Sequence, residues 1–558
     1  MTPSEQNTWV GRALVEELAR LDTPLVCLAP GARCAPLSMA LGATDRVPWT
    51  VFVDERAAAF HALGVGRATG RPAVVITTSG TAVGNLVPAA MEADQAGIPI
   101  LFLTADRPAD LRQTASNQTV RQSGILSPLV RFHADLPCSD PGLPMTAMLS
   151  TLDQAVHQAI AQSGPAHLNL QFREPLAPVD SPVPSAIASW WASEAPWVTT
   201  CAPRLAPSEA GAYALAELSA CPRGLVVVGS LPRGAQGAVS SLIESLGWPA
   251  YGSPDSGVSG DLGLDSALSD PDLAARLMPD AVLWIGGSIV SKRIVGWLRN
   301  APETLRLVSV SHRDARVDPA FRVTERHVLD YDALAAAMHP GQPSDAWTAQ
   351  WRAVHDAATH VVAAEGERWS ELSAAHAVMR ETRSLFVGAS LPVRLCDWMG
   401  ADGTEVHVEA NRGASGIDGV LATATGWARH VPGPVRVLLG DLTCLHDQGS
   451  LPLVRDGQTQ AVVFNNCGGS IFGMLPFGAV TGFDTVFRNA HNQAIAPLAQ
   501  AHGLTTATVH TMTELQAALD DDSVDLIEAW FEHDDTIEAL KRLHSGTCAH
   551  IRRTWGLS

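Results

Sequence analysis

One ordered pattern of strands and helices occurs twice in this chain of 558 residues, and it restricts the possible folds more than any other feature. The first copy runs LVCLAPGARCAPLS, then WTVFVDERAAAFHALGVGRATGRPAVVITTSGT. The second runs LFVGASLPVRLCDW, then EVHVEANRGASGIDGVLATATGWARHVPGPVRVLLGDLT. Each reads strand, turn, helix, strand, small-residue helix, strand. Val53 and Val408 are 355 positions apart and Gly80 and Gly440 are 360 apart, so the offset drifts little. Continuous apolar strands alternating with helices define a parallel sheet covered on both faces. Two copies of it predict two pseudo-symmetric sheets, with ligand binding expected at the carboxyl ends of their strands.

The strands of the first copy are LVCLAP, WTVFV, AVVITT, ILFLTA and HLNLQF, within a domain expected over residues 1–175. Residues 176–207 are rich in Pro, Ser and Ala without a clean period and read as a linker. A central α/β domain is expected over 208–338, with strands RGLVVVGSLP, WPAYGS, AVLWIGG, LRLVSVS and HVLD. Its IGGSIVSK turn lacks the spacing of a dinucleotide-binding loop. The segment HPGQPSDAW (339–347) opens the last domain, 339–558, as a second linker before a long helix. The strands that follow are SLFVGA, EVHVEA, VRVLLG, QAVVFNN and DLIEAWF. The predicted fold class is α/β: three parallel-sheet domains, the first and third pseudo-symmetric.

A net charge of -19 argues against nucleic acid or an anionic membrane as the main partner. The nine cysteines are scattered and form no C-x-x-C pair, so neither a disulfide framework nor a zinc site is expected. No apolar run approaches the roughly 18 residues of a membrane span, and the N-terminus carries acids where a signal peptide carries bases. A soluble cytoplasmic protein is the expectation.

The sharpest local signal is LLGDLTCLHDQGSLPLVRDGQTQAVVFNNCGGSIF. Gly440-Asp441 ends one strand, Asn465-Asn466 ends the next, and Asn466 follows Asp441 by 25 residues. Parallel strands joined by a crossover helix bring both ends to one sheet edge. A carboxylate, an amide oxygen and free carbonyls meeting there suit Mg²⁺, whose octahedron phosphate oxygens complete. Gly468-Gly469 permits close approach of the backbone, and a helix start can receive an anion. Two ordinary strand-end turns are the alternative for either half alone; the combination favours the metal. At the other joint, VDERAAAFHALG, Asp54 reads as a helix cap and Glu55 as a first-turn acid. Whether Glu55 does more depends on what the rest of the chain supplies.

The GDL…NNCGG stretch resembles the metal–diphosphate motif of thiamine diphosphate enzymes, and the three-domain layout is similar to theirs over essentially the whole chain. APGARCAPL, DERAAAFHALG, TSGTAVGNLVPAAMEA, LTADRPADLR, NQTVRQ, SLPVRL, NRGASGIDG and GDLTCLHD narrow the resemblance. They resemble the 2-succinyl-5-enolpyruvyl-6-hydroxy-3-cyclohexene-1-carboxylate synthases (MenD) of menaquinone biosynthesis.

The resemblance implies a pyrimidine-binding, a central and a diphosphate-binding domain. It implies thiamine diphosphate with Mg²⁺, for which Mn²⁺ substitutes, held by Asp441, Asn466 and the Gly468 carbonyl, with Ser470 and Ile471 against the cofactor. Glu55 would hydrogen-bond the aminopyrimidine as the catalytic carboxylate, in a desolvating apolar wall that raises its proton affinity. Ile417 would be the wedge that bends the cofactor. Arg33, Arg107, Asn117, Gln118, Lys292, Arg293, Ser390, Arg394 and Arg412 would bind substrate, beside an apolar wall of Phe472 and Leu475. The implied reaction decarboxylates 2-oxoglutarate and adds the succinyl carbanion equivalent to isochorismate in conjugate fashion. Arginine forks suit the two carboxylates on each substrate. At least a homodimer is implied, as a dimer or a dimer of dimers, because the superfamily's cofactor lies between two chains.

Three positions depart from the family pattern: Cys467 where Asn is common, and Ala32 and Cys34 where Ser is common. The rival readings are another thiamine diphosphate 2-oxoacid decarboxylase or carboligase, and a non-catalytic binding protein on the same fold. The Arg set and TADRP weigh against the first. Joint retention of Glu55, Asp441 and Asn466 weighs against the second.

Overall fold

Short runs of Val, Ile, Leu and Ala with few charges make strands buried on both faces, and these strands organise the chain into three sheets. The computed structural model describes residues 1–138, 143–200, 205–400, 406–455, 458–475 and 480–557. Residues 201–204 of the expected linker lie outside the described residues.

The first sheet holds β1 (Val26–Ala29), β2 (Trp49–Val51), β3 (Ala73–Thr77), β4 (Ile100–Asp106), β5 (Phe132–Leu136) and β6 (Pro165–Gln171), in the order β2-β1-β3-β4-β6-β5. The central sheet holds β7 (Gly224–Val228), β8 (Ala250–Gly252), β9 (Ala281–Ile285), β10 (Arg306–Ser311) and β11 (Glu325–Val328), in the order β11-β10-β9-β7-β8. The last sheet holds β12 (Ser384–Val387), β13 (His407–Ala410), β14 (Val435–Gly440), β15 (Thr459–Asn465), β16 (Thr506–Val509) and β17 (Leu526–Trp530). Its order is β13-β12-β14-β15-β17-β16, the same topology as the first. The pairings within each sheet are parallel, as the unbroken apolar strands predict.

The repeat is tighter in the sheets than in the letters. Val26 pairs with Trp49 in the first sheet and Ser384 with His407 in the last, 23 residues apart in both. Leu101 pairs with Ala166, and Ala461 with Leu526, 65 apart in both. Two strands escape the sequence reading, β5 (FHADL) and β16 (TATV), and they occupy the same edge of the two sheets. Neither has a continuous apolar run, because an edge strand packs on fewer neighbours.

By packing, the chain forms two units. One is Met1–Pro203 with Gly413–Pro432, and the other is Arg204–Arg412 with Gly433–Ser558. The core of the first gathers Trp9, Leu14, Leu37, Leu103, Leu149 and Phe172, with Ile187 and Trp190 from the Pro-rich segment. That segment is therefore anchored along part of its length; Trp190 Nε1 donates to Glu17 at 3.0 Å.

The helix Glu55–Thr69 begins where Asp54 Oδ1 accepts from Arg56 N at 2.8 Å, and ends at Gly70 with φ 68°. It packs on the helix Val420–Ala428, its counterpart in the second copy, within the same unit. Small residues on both helices let the main chains approach closely: a β-carbon on Gly64 would stand 2.0 Å from the Thr423 carbonyl oxygen.

Candidate active site

In the second unit, β14 delivers Asp441 and β15 delivers Asn466 to one sheet edge, because Gly440 pairs with Phe464 on adjacent parallel strands. Asp441 is 2% exposed. Its Oδ1 accepts from Leu442 N at 2.6 Å and its Oδ2 from Gly468 N at 2.8 Å. His491 Nε2, from a segment no motif marked, lies 3.4 Å from Oδ2. Burial raises the Asp441 pKa, against the lowering by these amides.

Asn466 spends its Nδ2 on Glu371 Oε1 at 2.9 Å, while its Oδ1 is buried without a hydrogen-bond partner. A buried amide oxygen with no donor is costly, and it is what a cation would relieve. Gly468 sits at φ 138°, where a β-carbon would stand 2.6 Å from the Arg488 carbonyl oxygen. Glycine is required here because the main chain of Arg488 passes too close for a side chain. Ser470 N donates to the Gly468 carbonyl at 3.0 Å, and Ser470 Oγ bonds His533 Nδ1 at 2.8 Å. Among the described residues no three His, Cys, Asp or Glu side chains form a cage. The donor set is one carboxylate, one amide and one carbonyl, which fits a hard cation that keeps places for phosphate oxygens. Ile471 packs on the core beside this edge, and Phe472 and Leu475 follow as exposed apolar side chains.

Cys467 adopts φ 59°, a left-handed conformation that asparagine tolerates better than cysteine. Its N–H donates to Asn465 Oδ1 at 3.1 Å. In the first unit, Cys34 makes up for its missing hydroxyl: the Sγ donates to the Gly31 carbonyl at 3.2 Å.

The cationic residues divide between the units. In the first, Arg107 Nη1 donates to Ser79 Oγ at 2.8 Å and to the Gln118 carbonyl at 2.9 Å. Gln118 Nε2 donates back to the Ser79 carbonyl at 2.9 Å, so Ser79 joins the two. Burial and the nearby Arg33 lower the Arg107 pKa. Arg33 donates to the Phe172 carbonyl at 2.8 Å and pairs with Glu174 at 2.9 Å. Asn117 is exposed on the same loop as Gln118. Glu55 is partly exposed within its chain and accepts from Asn85 Nδ2 at 3.0 Å. Ala57, Ala58 and Ala59 are buried beside it. The apolar enclosure expected around Glu55 is therefore only partly built by its own unit.

Ile417 lies in the same unit, on a loop fixed by a carboxylate that sequence reading passed over. Glu92, 2% exposed, accepts from Gly413 N at 2.8 Å, Ala414 N at 2.6 Å and Ser415 N at 3.2 Å. It stands in TSGTAVGNLVPAAMEA, but a glutamate inside a helix pattern gives no sign that it will be buried.

In the second unit, Arg394 donates to the Ser390 carbonyl, and Ser390 holds φ 70°. Burial and the charge of Arg412 lower the Arg394 pKa, which marks the two guanidinium groups as neighbours. Arg412 makes no ion pair among the described residues. Arg293 differs from these. It pairs with the buried Asp265 and lies 3.3 Å from His544 Nε2, on the wall of a cavity of about 710 Å³ that Lys541 and Arg552 also line. Lys292 beside it is exposed.

Two parallel sheets of identical topology, one ending in this carboxylate–amide–glycine edge, define the class of thiamine diphosphate enzymes. Residues 8–125 match the family model "Thiamine pyrophosphate enzyme, N-terminal TPP binding domain", and residues 182–387 match "Middle domain of thiamine pyrophosphate". Curated relatives named 2-succinyl-5-enolpyruvyl-6-hydroxy-3-cyclohexene-1-carboxylate synthase include that of Rubrobacter xylanophilus, 40% identical over 93% of each chain. Those of Salinibacter ruber (39%, over 88% of this chain and 87% of the relative) and Aeromonas salmonicida (34%, over 95% and 96%) carry the same name. The chain belongs to this synthase family.

Proposed function

We propose that the chain is the thiamine diphosphate-dependent synthase of menaquinone biosynthesis that its relatives are named for. It takes 2-oxoglutarate and isochorismate and gives 2-succinyl-5-enolpyruvyl-6-hydroxy-3-cyclohexene-1-carboxylate and carbon dioxide. The observation that carries the reading is the Asp441–Asn466–Gly468 edge with its unpartnered amide oxygen, within a chain that matches these relatives nearly end to end. Asp441 Oδ, Asn466 Oδ1 and the Gly468 carbonyl would hold Mg²⁺ (or Mn²⁺) and through it the diphosphate, with Ser470 and Ile471 beside it. When bound, the cofactor supplies the electron sink for decarboxylation.

The chain's own residues do the remaining work. Glu55 would hydrogen-bond the cofactor's aminopyrimidine and hold a proton there, and Ile417 would pack against the cofactor. Arg394 and Arg412, with guanidinium N–H groups uncommitted to protein carboxylates, orient substrate carboxylates. Arg33, Arg107, Asn117 and Gln118 would bind substrate carboxylates within the first unit, and Ser390 at its strained turn would add a hydroxyl in the second. Phe472 and Leu475 would form an apolar wall nearby. Lys292 and Arg293 belong to the same proposal at its outer edge, since Arg293 is engaged with Asp265. The domain division at 1–175, 176–207, 208–338 and 339–558 is part of this reading.

A second copy of the chain completes the site. Glu55 is left partly open in its own unit, and just before it Trp49 and Val51 on the edge strand β2, and Val53 beyond that strand, are 40%, 53% and 101% exposed. Three exposed apolar side chains in alternation are what a subunit interface covers. No described helix is long and apolar enough to cross a membrane, and we place the enzyme in the cytoplasm.

Purified protein with Mg²⁺, thiamine diphosphate and both substrates should give the adduct by mass. Glu55→Gln should abolish turnover while leaving diphosphate binding largely intact. Absence of product from cofactor-loaded wild type, or turnover of pyruvate alone, would move the assignment to another thiamine enzyme.

A further inference from the structure

We infer that Glu371 sets which way the Asn466 amide faces, and thereby presents its carbonyl oxygen to the metal. The inference rests on the reading of Asp441, Asn466 and Gly468 as the metal–diphosphate site.

Glu371 is the first residue of the helix Glu371–Arg380, whose cap is Ser370. First-turn acids are ordinarily solvent-exposed partners of the helix dipole. This one is 2% exposed and pairs with no cation among the described residues. Its Oε1 accepts from Asn466 Nδ2 at 2.9 Å, and its Oε2 accepts from Thr536 Oγ1. A buried carboxylate without a cation is expensive, so a merely structural role would be filled more cheaply by a neutral side chain.

An asparagine amide has one donor end and one acceptor end. A carboxylate facing it takes the donor end. The acceptor end, Oδ1, is then turned away and left buried without a donor. Flipping the amide would set oxygen against oxygen at Glu371 and aim an NH₂ group, which cannot bind a cation, into the site. Thr536 holds the other carboxylate oxygen, so Glu371 cannot swing aside without breaking that bond. Glu371 touches neither the proposed metal position nor substrate; it is a positioning residue acting through Asn466. Such partners behind a metal ligand are worth about 10–100-fold in metal affinity.

The test titrates Mg²⁺ into full-length protein saturated with thiamine diphosphate and follows binding by calorimetry. Melting curves of the metal-free proteins check folding. Glu371→Ala should weaken Mg²⁺ binding by about 10–100-fold. Asn466→Asp alone, which sets two carboxylates face to face, should weaken it too. Glu371→Gln with Asn466→Asp should recover most of that loss, because glutamine donates an N–H to the new carboxylate. If Glu371→Ala fails to fold, the comparison of Asn466→Asp with the double variant carries the test. Wild-type affinity in a folded Glu371→Ala, or no recovery in the double variant, overturns the inference while leaving the site assignment standing. A wild-type protein that binds neither Mg²⁺ nor thiamine diphosphate overturns the site assignment itself and this inference with it.

Discussion

Gly64 and Gly426 each lie against the main chain of the other's helix. A β-carbon on Gly64 would stand 2.0 Å from the Thr423 carbonyl oxygen, and one on Gly426 would stand 2.0 Å from that of His61. The two contacts are the same contact made twice, since 61 and 423, like 64 and 426, are separated by 362 positions. The repeated sequence thus meets itself through its small-residue helices. Alanine at either glycine cannot be housed by a side-chain shift, because the obstacle is backbone. Each single substitution should cost about 3 kcal/mol or more, read from urea midpoints; a loss under about 1 kcal/mol would mean that the helices separate easily.

The Glu92 carboxylate gathers three backbone N–H groups of the loop that carries Ile417. Glu92→Ala strands those donors, each at about 1–3 kcal/mol. Amide hydrogen exchange in the peptide spanning residues 411–419 should accelerate well beyond the rest of the chain. Uniform exchange across the chain would show that Glu92 only fills the core.

Cys467 at φ 59° carries a β-carbon where backbone geometry disfavours one. Cys467→Val, with a branched side chain, should lower stability by about 1–2 kcal/mol. Cys467→Asn should leave it unchanged or raise it slightly. Thermal melts of the cofactor-free proteins decide; equal losses in both would place the effect in the thiol and its packing.

His61 is fully enclosed, with Thr425 Oγ1 3.1 Å from its Nδ1. Burial, and then the charge of Arg429, depress its pKa from 6.5 to about 3. A depressed pKa means that the unfolded chain takes the proton first. The neutral ring's contribution is therefore complete above about pH 6.5, shrinks as pH falls, and is gone near the folded value. At pH 5 the loss is about 2 kcal/mol. The stability gap between wild type and His61→Gln should narrow by that amount between pH 7 and pH 5. A gap independent of pH would rule out His61 as the source.

Arg412 and Arg293 were assigned together by resemblance, but their surroundings separate them. Arg412→Gln should raise KM for the carboxylate substrates at least tenfold with only a small drop in melting temperature, since Arg412 makes no ion pair among the described residues and reaches the buried Asp255 only through its charge. Arg293→Gln leaves the buried Asp265 without its cation and should destabilise by about 3 kcal/mol, with a smaller effect on KM. Steady-state kinetics paired with melts separates the two, and the reverse pattern would exchange their roles.

Much of this was written in local sequence. Runs such as AVVIT and AVLWI carry their burial in their composition, so the parallel sheets, their number and the kinship of first and last were all legible. So were Asp54 as a cap and the Asp441–Asn466 pair, because strand ends and glycine turns are set within a few residues. The edge strands β5 and β16 were not, since their partners, rather than their own weak patterns, make them strands.

What tertiary structure alone decided is the company each charged side chain keeps. Nothing near Glu371 or Glu92 announces a buried acid: the hydrogen-bond donors to Glu371 are 95 and 165 residues away, those to Glu92 more than 320, and even the Arg67 cation near Glu92 comes from another helix. The same holds for Arg293, whose pairing with Asp265 no local pattern signals. Apolar burial is summed along a segment and can be read from it. A charge is buried only where distant partners converge, and convergence is a property of the folded chain.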